Sequence, residues 1–337
     1  MNIRLHKIFL VTYILTFFFN TILNAQDGEK AYRFLNLPSS ARVNAMGGSN
    51  VSLVDNDLSL VFHNPALLGT EMDMNVNLNY MSYIGDIRVG SAIFGKAIND
   101  ISAFSVGINY LDYGDFLEAS PENITGSNFS AKDIAINGTY SRDLSERWRG
   151  GVTGKFIYSS YENYTSTAVG FDAGLSYYNP DSDAAVGFVI KNVGAQISAY
   201  NDKRVSLPWD VNVGFSKRLS HAPVRVSATA VYLTQWKFEK VNAANGLEPD
   251  KSNFFSVLMK HLVFGVDIIP SDNFWIGVGY NPKVHSDMKI QDGNKWGGWN
   301  AGAGLRVKRF NIGFALAQFH PDATSYHFSL GIDLSKY

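Results

Sequence analysis

The chain has 337 residues, a formal net charge of −1 and no cysteine. A near-neutral chain carries no electrostatic footprint for nucleic acid, and without cysteine it has no disulfide framework, thiolate metal site or cysteine nucleophile. Its 30 glycines and 14% aromatic residues favour β structure, because rings suit the pleated surface of a sheet.

Arg4, His6 and Lys7 precede the apolar run from Ile8 to Leu23, and Leu23-Asn24-Ala25 places a small residue before Gln26. This is the layout of a secretory signal. Its core is shorter than the roughly 20 residues a helical span needs. Cleavage is therefore expected near Ala25, with residues 1–25 as a signal peptide. No other run is apolar enough to cross a bilayer as a helix, and the mean hydropathy is −0.07.

Residues 26–70 do not read as strand and turn. A polar start leads into Phe34 and Leu37, and Pro38 breaks the run. The pair Gly47-Gly48 allows a tight backbone path. Asp57 is expected to cap a short helical turn over Leu58 to Phe62, because its carboxylate accepts from free amides at a helix start. Asn64-Pro65 then ends that turn, since the residue before proline avoids the helical region.

After Thr70 the period changes to two. Met72, Met74, Val76, Leu78 and Tyr80 share one face, with Asp73, Asn75, Asn77 and Asn79 on the other. Further strands are expected near 87–97, 101–113, 131–142, 148–159, 167–178, 184–193, 208–218, 223–237, 255–269, 273–281, 297–308, 309–319 and 325–335. That makes about 14 strands, each long enough for a tilted crossing of about 9–11 residues. Short turns at 99–100, 143–147, 179–183, 219–222, 271–272 and 308–309 alternate with longer loops near 114–130, 160–166, 194–207, 238–254 and 282–296. That alternation is the habit of an outer-membrane barrel. Aromatics such as Tyr80, Tyr110, Trp148, Tyr158, Trp236, Trp275 and Trp299 fall towards strand ends, where two interfacial girdles are expected. Asp172, Lys191, Asp210, Arg225, Asp267, Arg306 and Asp333 sit between apolar neighbours. A charge on the lipid face costs roughly 2–4 kcal/mol at the midplane, so these should point inwards.

The fold expected is all-β: a transmembrane antiparallel up-and-down barrel spanning 71–337, with 26–70 inside its lumen as a plug. Signs of catalysis are missing. There is no HExxH, no GxSxG elbow and no P-loop. Gly47-Gly48 lacks the rest of a nucleotide fingerprint. Asp55-Asn56-Asp57 is half a calcium loop without its glycine and glutamate, so turn and cap chemistry explains it better. His320 and His327 are placed to face each other across the last hairpin, without a metal spacing around them. No enzyme activity, metal or cofactor is expected.

Asn64-Pro65-Ala66, just before the first strand, resembles the NPA motif in the N-terminal hatch of the long-chain fatty-acid transporter family, the FadL-like barrels. That resemblance implies fourteen strands and a plug formed by the residues before strand one. A closer resemblance covers residues 31–70: Phe34 to Arg42, Met46-Gly47-Gly48, Val51-Ser52-Leu53, Asp55, Asp57 to Leu60 and Asn64 to Leu68 are similar to the PorQ family. These are type IX secretion outer-membrane proteins related to PorV. The resemblance implies a non-catalytic outer-membrane component of an attachment complex with PorU and PorV, holding a PorZ-like surface partner where cargo is joined to lipopolysaccharide. Gly47, Gly48, Asp55, Asp57, Asn64, Pro65 and Ala66 are then plug residues. Phe116, Phe129 and Trp296, on the long loops, are the expected partner contacts. The alternative is a FadL-like transporter of hydrophobic small molecules. A secreted soluble β-sandwich is a third reading.

Overall fold

Alternation in these strands does more than mark two faces, because it lets a sheet bend round until its ends meet. The computed structural model describes residues 30–119, 125–200, 204–242, 246–249, 253–287, 296–320 and 323–335. The expected signal segment and cleavage point lie outside them. Its strands are β1 (Asn75–Ser82), β2 (Arg88–Asn99), β3 (Ser102–Ala119), β4 (Thr125–Asp143), β5 (Trp148–Tyr161), β6 (Tyr164–Asn179), β7 (Ala184–Ser198), β8 (Asp210–Arg218), β9 (Val224–Ala230), β10 (Glu239–Asn242), β11 (Gly246–Pro249), β12 (Leu262–Ser271), β13 (Phe274–Tyr280), β14 (Trp299–Val307), β15 (Phe310–His320) and β16 (Ala323–Asp333).

Among the described residues, fourteen strands form a closed antiparallel barrel, and β10 pairs with β11 outside it. Consecutive strands are neighbours, with β9 passing directly to β12. The seam is β1 against β16, in register from Asn75 opposite Asp333 to Ser82 opposite Tyr326. Closure leaves no sheet edge unpaired, which is the condition for a sheet to span lipid.

The two faces are inverted relative to a soluble protein. Leu78, Tyr80, Val106, Ile108, Ile136, Val152, Phe156, Val266, Val278 and Phe328 are exposed outside, while Asn77, Asn79, Asn137, Asp172, Lys191, Asp210, Arg225 and Asp267 are buried inside. A soluble protein rarely exposes an apolar patch beyond a few hundred Å². The outer band is therefore a lipid-facing surface, and the sandwich reading is corrected.

Several strand bounds also need correction. Alternation starts at Asn75, not at Met72. Met72 is 1% exposed and packs with Leu58, Val61 and Ile93, and Met74 takes a left-handed φ of 53°. The expected loop 114–130 is mostly strand, since β3 runs to Ala119 and β4 begins at Thr125. The expected loop 160–166 is a tight hairpin with Glu162 at φ 53°. In the opposite direction, β9 stops at Ala230. Tyr232 is left-handed, and Asp210 accepts from its N–H at 2.6 Å, which turns the chain aside. The strand expected from 255 is helical over Phe254–Lys260, with Asn253 capping Ser256 N at 2.9 Å. With β9 gone at that height, a strand there has no partner, whereas a helix bonds to itself. Pro282–Asp287, expected as loop, is also helical.

The wall is therefore uneven. It is tall at β3 to β7 and low at β8, β9 and β12 to β14, where the segment 204–209, the turn after β9 and the two helices take over.

Candidate functional site in the barrel lumen

Residues 30–74 form a chain of short turns: Arg33–Asn36, Ala41–Ala45, Leu58–Phe62, Pro65–Leu67 and Thr70–Met72. Asp57 Oδ1 accepts from Ser59 N at 2.9 Å, as expected of a cap, and Asn64 Oδ1 accepts from Ala66 N at 3.0 Å to start the next turn. Short turns leave many carbonyls unpaired, and buried ones need partners. Inward side chains of the barrel supply them. Ser216 Oγ donates to Ser52 O at 2.9 Å, Ser141 Oγ to Leu68 O at 2.6 Å, and Asn300 Nδ2 to Asn44 O at 2.7 Å.

Close approach to the wall depends on inward glycines. A Cβ on Gly187 would lie 1.9 Å from Val51 O, on Gly174 2.0 Å from Asn64 Oδ1, on Gly151 2.4 Å from Pro65 C, and on Gly279 2.0 Å from Gly47 N. Three of these glycines lie on the adjacent strands β5, β6 and β7 and the fourth on β13, so the segment touches the wall along two separate arcs. Gly47 and Gly48 have φ of 92° and 89°, which side-chain-bearing residues rarely adopt.

Charge is concentrated at two levels. At the first, Arg42 Nη2 pairs with Asp267 and lies 3.2 Å from Asp55 Oδ2, while Arg225 Nη2 reaches the same two carboxylates at 2.9 and 3.2 Å. The Arg42 guanidinium lies 4.2 Å above the Trp275 ring. Burial would raise the Asp55 carboxyl, but Arg42 and Arg225 pull it down to about 2. For Asp57, burial pushes the carboxyl up despite hydrogen bonds from Ser59 and Ser40. Beside this cluster a cavity of about 40 Å³ is lined by Arg42, Asp55, Asp57, Asp272, Trp275 and Arg306 among others. At the second level, Lys155 Nζ lies 2.7 Å from Asp172, and Asn192 links this pair to the segment by donating to Asn36 Oδ1 at 3.2 Å.

Towards the loop end the inward face turns apolar. Leu111, Ala135, Ile157 and Ala168 from β3 to β6 form one buried cluster with Leu207, Tyr32 and Phe34. Sequence reasoning missed this cluster, because each wall residue is one small or apolar position on an otherwise polar face. It also missed Trp275, expected in a girdle. Ile276 and Val278 are exposed, so the opposite parity sends Trp275 inwards, under Arg42.

Of the expected loop contacts, Phe116 and Trp296 are exposed. Phe116 lies opposite Phe129 in the β3–β4 ladder, and the Phe129 side chain lies outside the described residues. His320 and His327 do not face each other: His327 is opposite Ala315, and His320 opposite Ala323. Among the described residues no cluster of His, Asp or Glu is arranged to hold a metal.

A closed ring of fourteen strands, apolar outside and polar inside, defines an outer-membrane β-barrel. Among solved structures the chain is similar to a FadL homologue from Pseudomonas aeruginosa, with 13% identity and a TM-score of 0.52 over 88% of this chain and 98% of that one. It is also similar to the toluene transporter TodX from Pseudomonas putida, with 12% identity and a TM-score of 0.52 over 90% and 97%. At such identities the likeness is one of fold. No protein-family model matches the sequence, and no curated protein does.

Proposed function

We propose that this chain is a non-catalytic, FadL-like outer-membrane barrel that passes hydrophobic small molecules, with residues 26–70 as its plug. In this reading 1–25 is the signal peptide, 71–337 is the barrel, and the loops face outwards. The observation that carries it is the apolar inward patch of Leu111, Ala135, Ile157 and Ala168 near the loop end of a polar lumen. An apolar surface lining a polar passage suits a greasy solute better than a partner held on the rim. The likeness in fold to a FadL homologue and to a toluene transporter supports the same class. The test is uptake of labelled toluene into proteoliposomes. Uptake above empty vesicles that falls when Ile157 becomes Asp is the expected result. Uptake equal to empty vesicles overturns the reading.

A second reading is favoured by a different observation. Exposed aromatics gather at the loop end: Trp236, Phe254, Phe255 and Trp296 are 48%, 72%, 68% and 66% exposed. Together with the resemblance of residues 31–70 to the PorQ family, they suit a barrel that holds a PorZ-like surface protein, beside PorU and PorV, in a type IX attachment complex near lipopolysaccharide. Aromatic side chains of this kind anchor protein interfaces. Co-purification from the native membrane tests it. A PorZ-like protein that elutes with the intact barrel, and is lost when Phe254 and Phe255 become Ser, supports anchoring. Its absence from the intact complex rejects anchoring.

A further inference from the structure

One buried side chain at the loop end of the lumen has the surroundings of a ligand. Tyr32 is 5% exposed, and its ring belongs to the apolar cluster of Leu111, Ala135, Ile157 and Ala168. Its hydroxyl bonds to Ser166 Oγ and accepts from Gln196 Nε2 at 3.0 Å. Ser166 Oγ gives its own proton to Ser198 O at 2.6 Å, so towards Tyr32 it serves as the acceptor. Gln196 Oε1 is held by Val205 N at 2.6 Å, which turns the amide NH₂ towards the ring.

The polar end of the cluster thus presents one acceptor and one donor, side by side. A hydroxyl satisfies both, because it gives one proton and takes another. A methyl group satisfies neither and leaves two buried polar groups unmet. A carboxylate has no proton for Ser166.

The backbone that delivers this ring is strained. Tyr32 has φ 56° and ψ 38°, a left-handed conformation that is costly for any residue with a Cβ. Upstream, the chain is tied to the wall by Ala31 N bonding to Ser206 O at 3.1 Å. A ligand that brings the same ring and the same hydroxyl would replace the side-chain contacts of Tyr32 and relieve the strain.

We propose that Tyr32 is an internal stand-in for substrate, and that the subsite formed by Ser166, Gln196 and the apolar cluster takes a monocyclic phenol when Tyr32 withdraws. This rests on the transport reading and names its substrate class.

Phenol and toluene are the probes, being alike in size and differing in the hydroxyl. In the detergent-solubilised full chain, Tyr32→Ala opens a ring-sized apolar site of the kind that binds benzene when engineered elsewhere. After correction for partition into the micelle, this variant binds phenol on the order of 10-fold more tightly than toluene. The preference disappears when Ser166→Ala and Gln196→Leu are added. Equal affinities in the Tyr32→Ala variant, or a preference indifferent to Ser166 and Gln196, overturn the proposal.

The unaltered chain in proteoliposomes provides a second measurement should the variant fail to fold. Its uptake ratio of phenol to toluene falls in the Ser166→Ala, Gln196→Leu double variant. Toluene uptake with an unchanged ratio overturns the subsite and leaves transport standing. Uptake of neither probe overturns the transport reading, and the subsite with it.

Discussion

Arg42 and Asp267 are 225 positions apart in sequence, and their side chains meet in the lumen with Trp275 beneath the guanidinium. Asp267 is fully buried, and Arg225 shares it. Removing one partner of a buried ion pair leaves an uncompensated charge, which costs roughly 3–5 kcal/mol. Asp267→Asn is therefore expected to lower the unfolding free energy of the detergent-solubilised barrel by that amount. Replacing Asp267 and Arg42 together by Leu and Met should cost less than Asp267→Asn alone. Denaturant titration followed by the heat-dependent shift of a folded barrel on a gel measures both.

Inward glycines make a sharper test of how the segment sits. Gly187→Ala and Gly279→Ala place a methyl 1.9 Å and 2.0 Å from backbone atoms of the segment. Backbone cannot swing aside as a flexible side chain does, so each should cost about 1–3 kcal/mol through overpacking. Gly138 meets nothing within 4 Å. Gly138→Ala is the control and is expected to leave stability unchanged.

His63 predicts a pH response. Burial, with Lys191, Lys155 and His327 adding to it, holds its pKa well below 6.5. Its Nε2 faces Ser39 N at 3.3 Å. A base whose folded pKa is lowered binds fewer protons folded than unfolded. Its stabilising share is therefore complete above about pH 6.5 and declines by up to about 1.4 kcal/mol per pH unit below it. The hydrogen-exchange protection factors across residues 30–72, taken relative to the intrinsic rate at each pH, should fall between pH 7 and pH 5, and His63→Gln should flatten that slope. Asp55, pulled down to about 2, adds a separate loss as pH falls from about 4 towards 2. Unchanged protection factors across both windows would contradict these assignments.

Among the described residues, the hairpin β10–β11 pairs only with itself and is not part of the ring. Replacing 239–249 by a short Gly-Ser linker is expected to change barrel stability by less than about 0.5 kcal/mol. If the loop end holds a surface partner, the same deletion lowers the yield of that partner in co-purification.

How much of this was legible in advance follows from the range of each interaction. Leu78 and Tyr80 point outwards, and Asn77 and Asn79 inwards, because alternation is a property of consecutive residues. The Asp57 cap and the stop at Asn64-Pro65 are equally local, and both were legible for that reason. Asp172, Lys191, Asp210, Arg225 and Asp267 were placed inside from the cost of a charge in lipid alone. By contrast, the strand expected from 255 depended on whether β9 continued beside it. β9 ended because Asp210, 22 positions before Tyr232, captures the backbone N–H of that residue.

By itself, the sequence determined that this protein is a barrel of about fourteen crossings with an irregular segment before the first. Period, turn chemistry and burial cost act within a few residues. Only the tertiary structure decided what fills the barrel: Arg42 over Trp275, Val51 against Gly187, and the Tyr32 hydroxyl between Ser166 and Gln196. Those partners are brought together by ring closure and strand register, which no local pattern encodes.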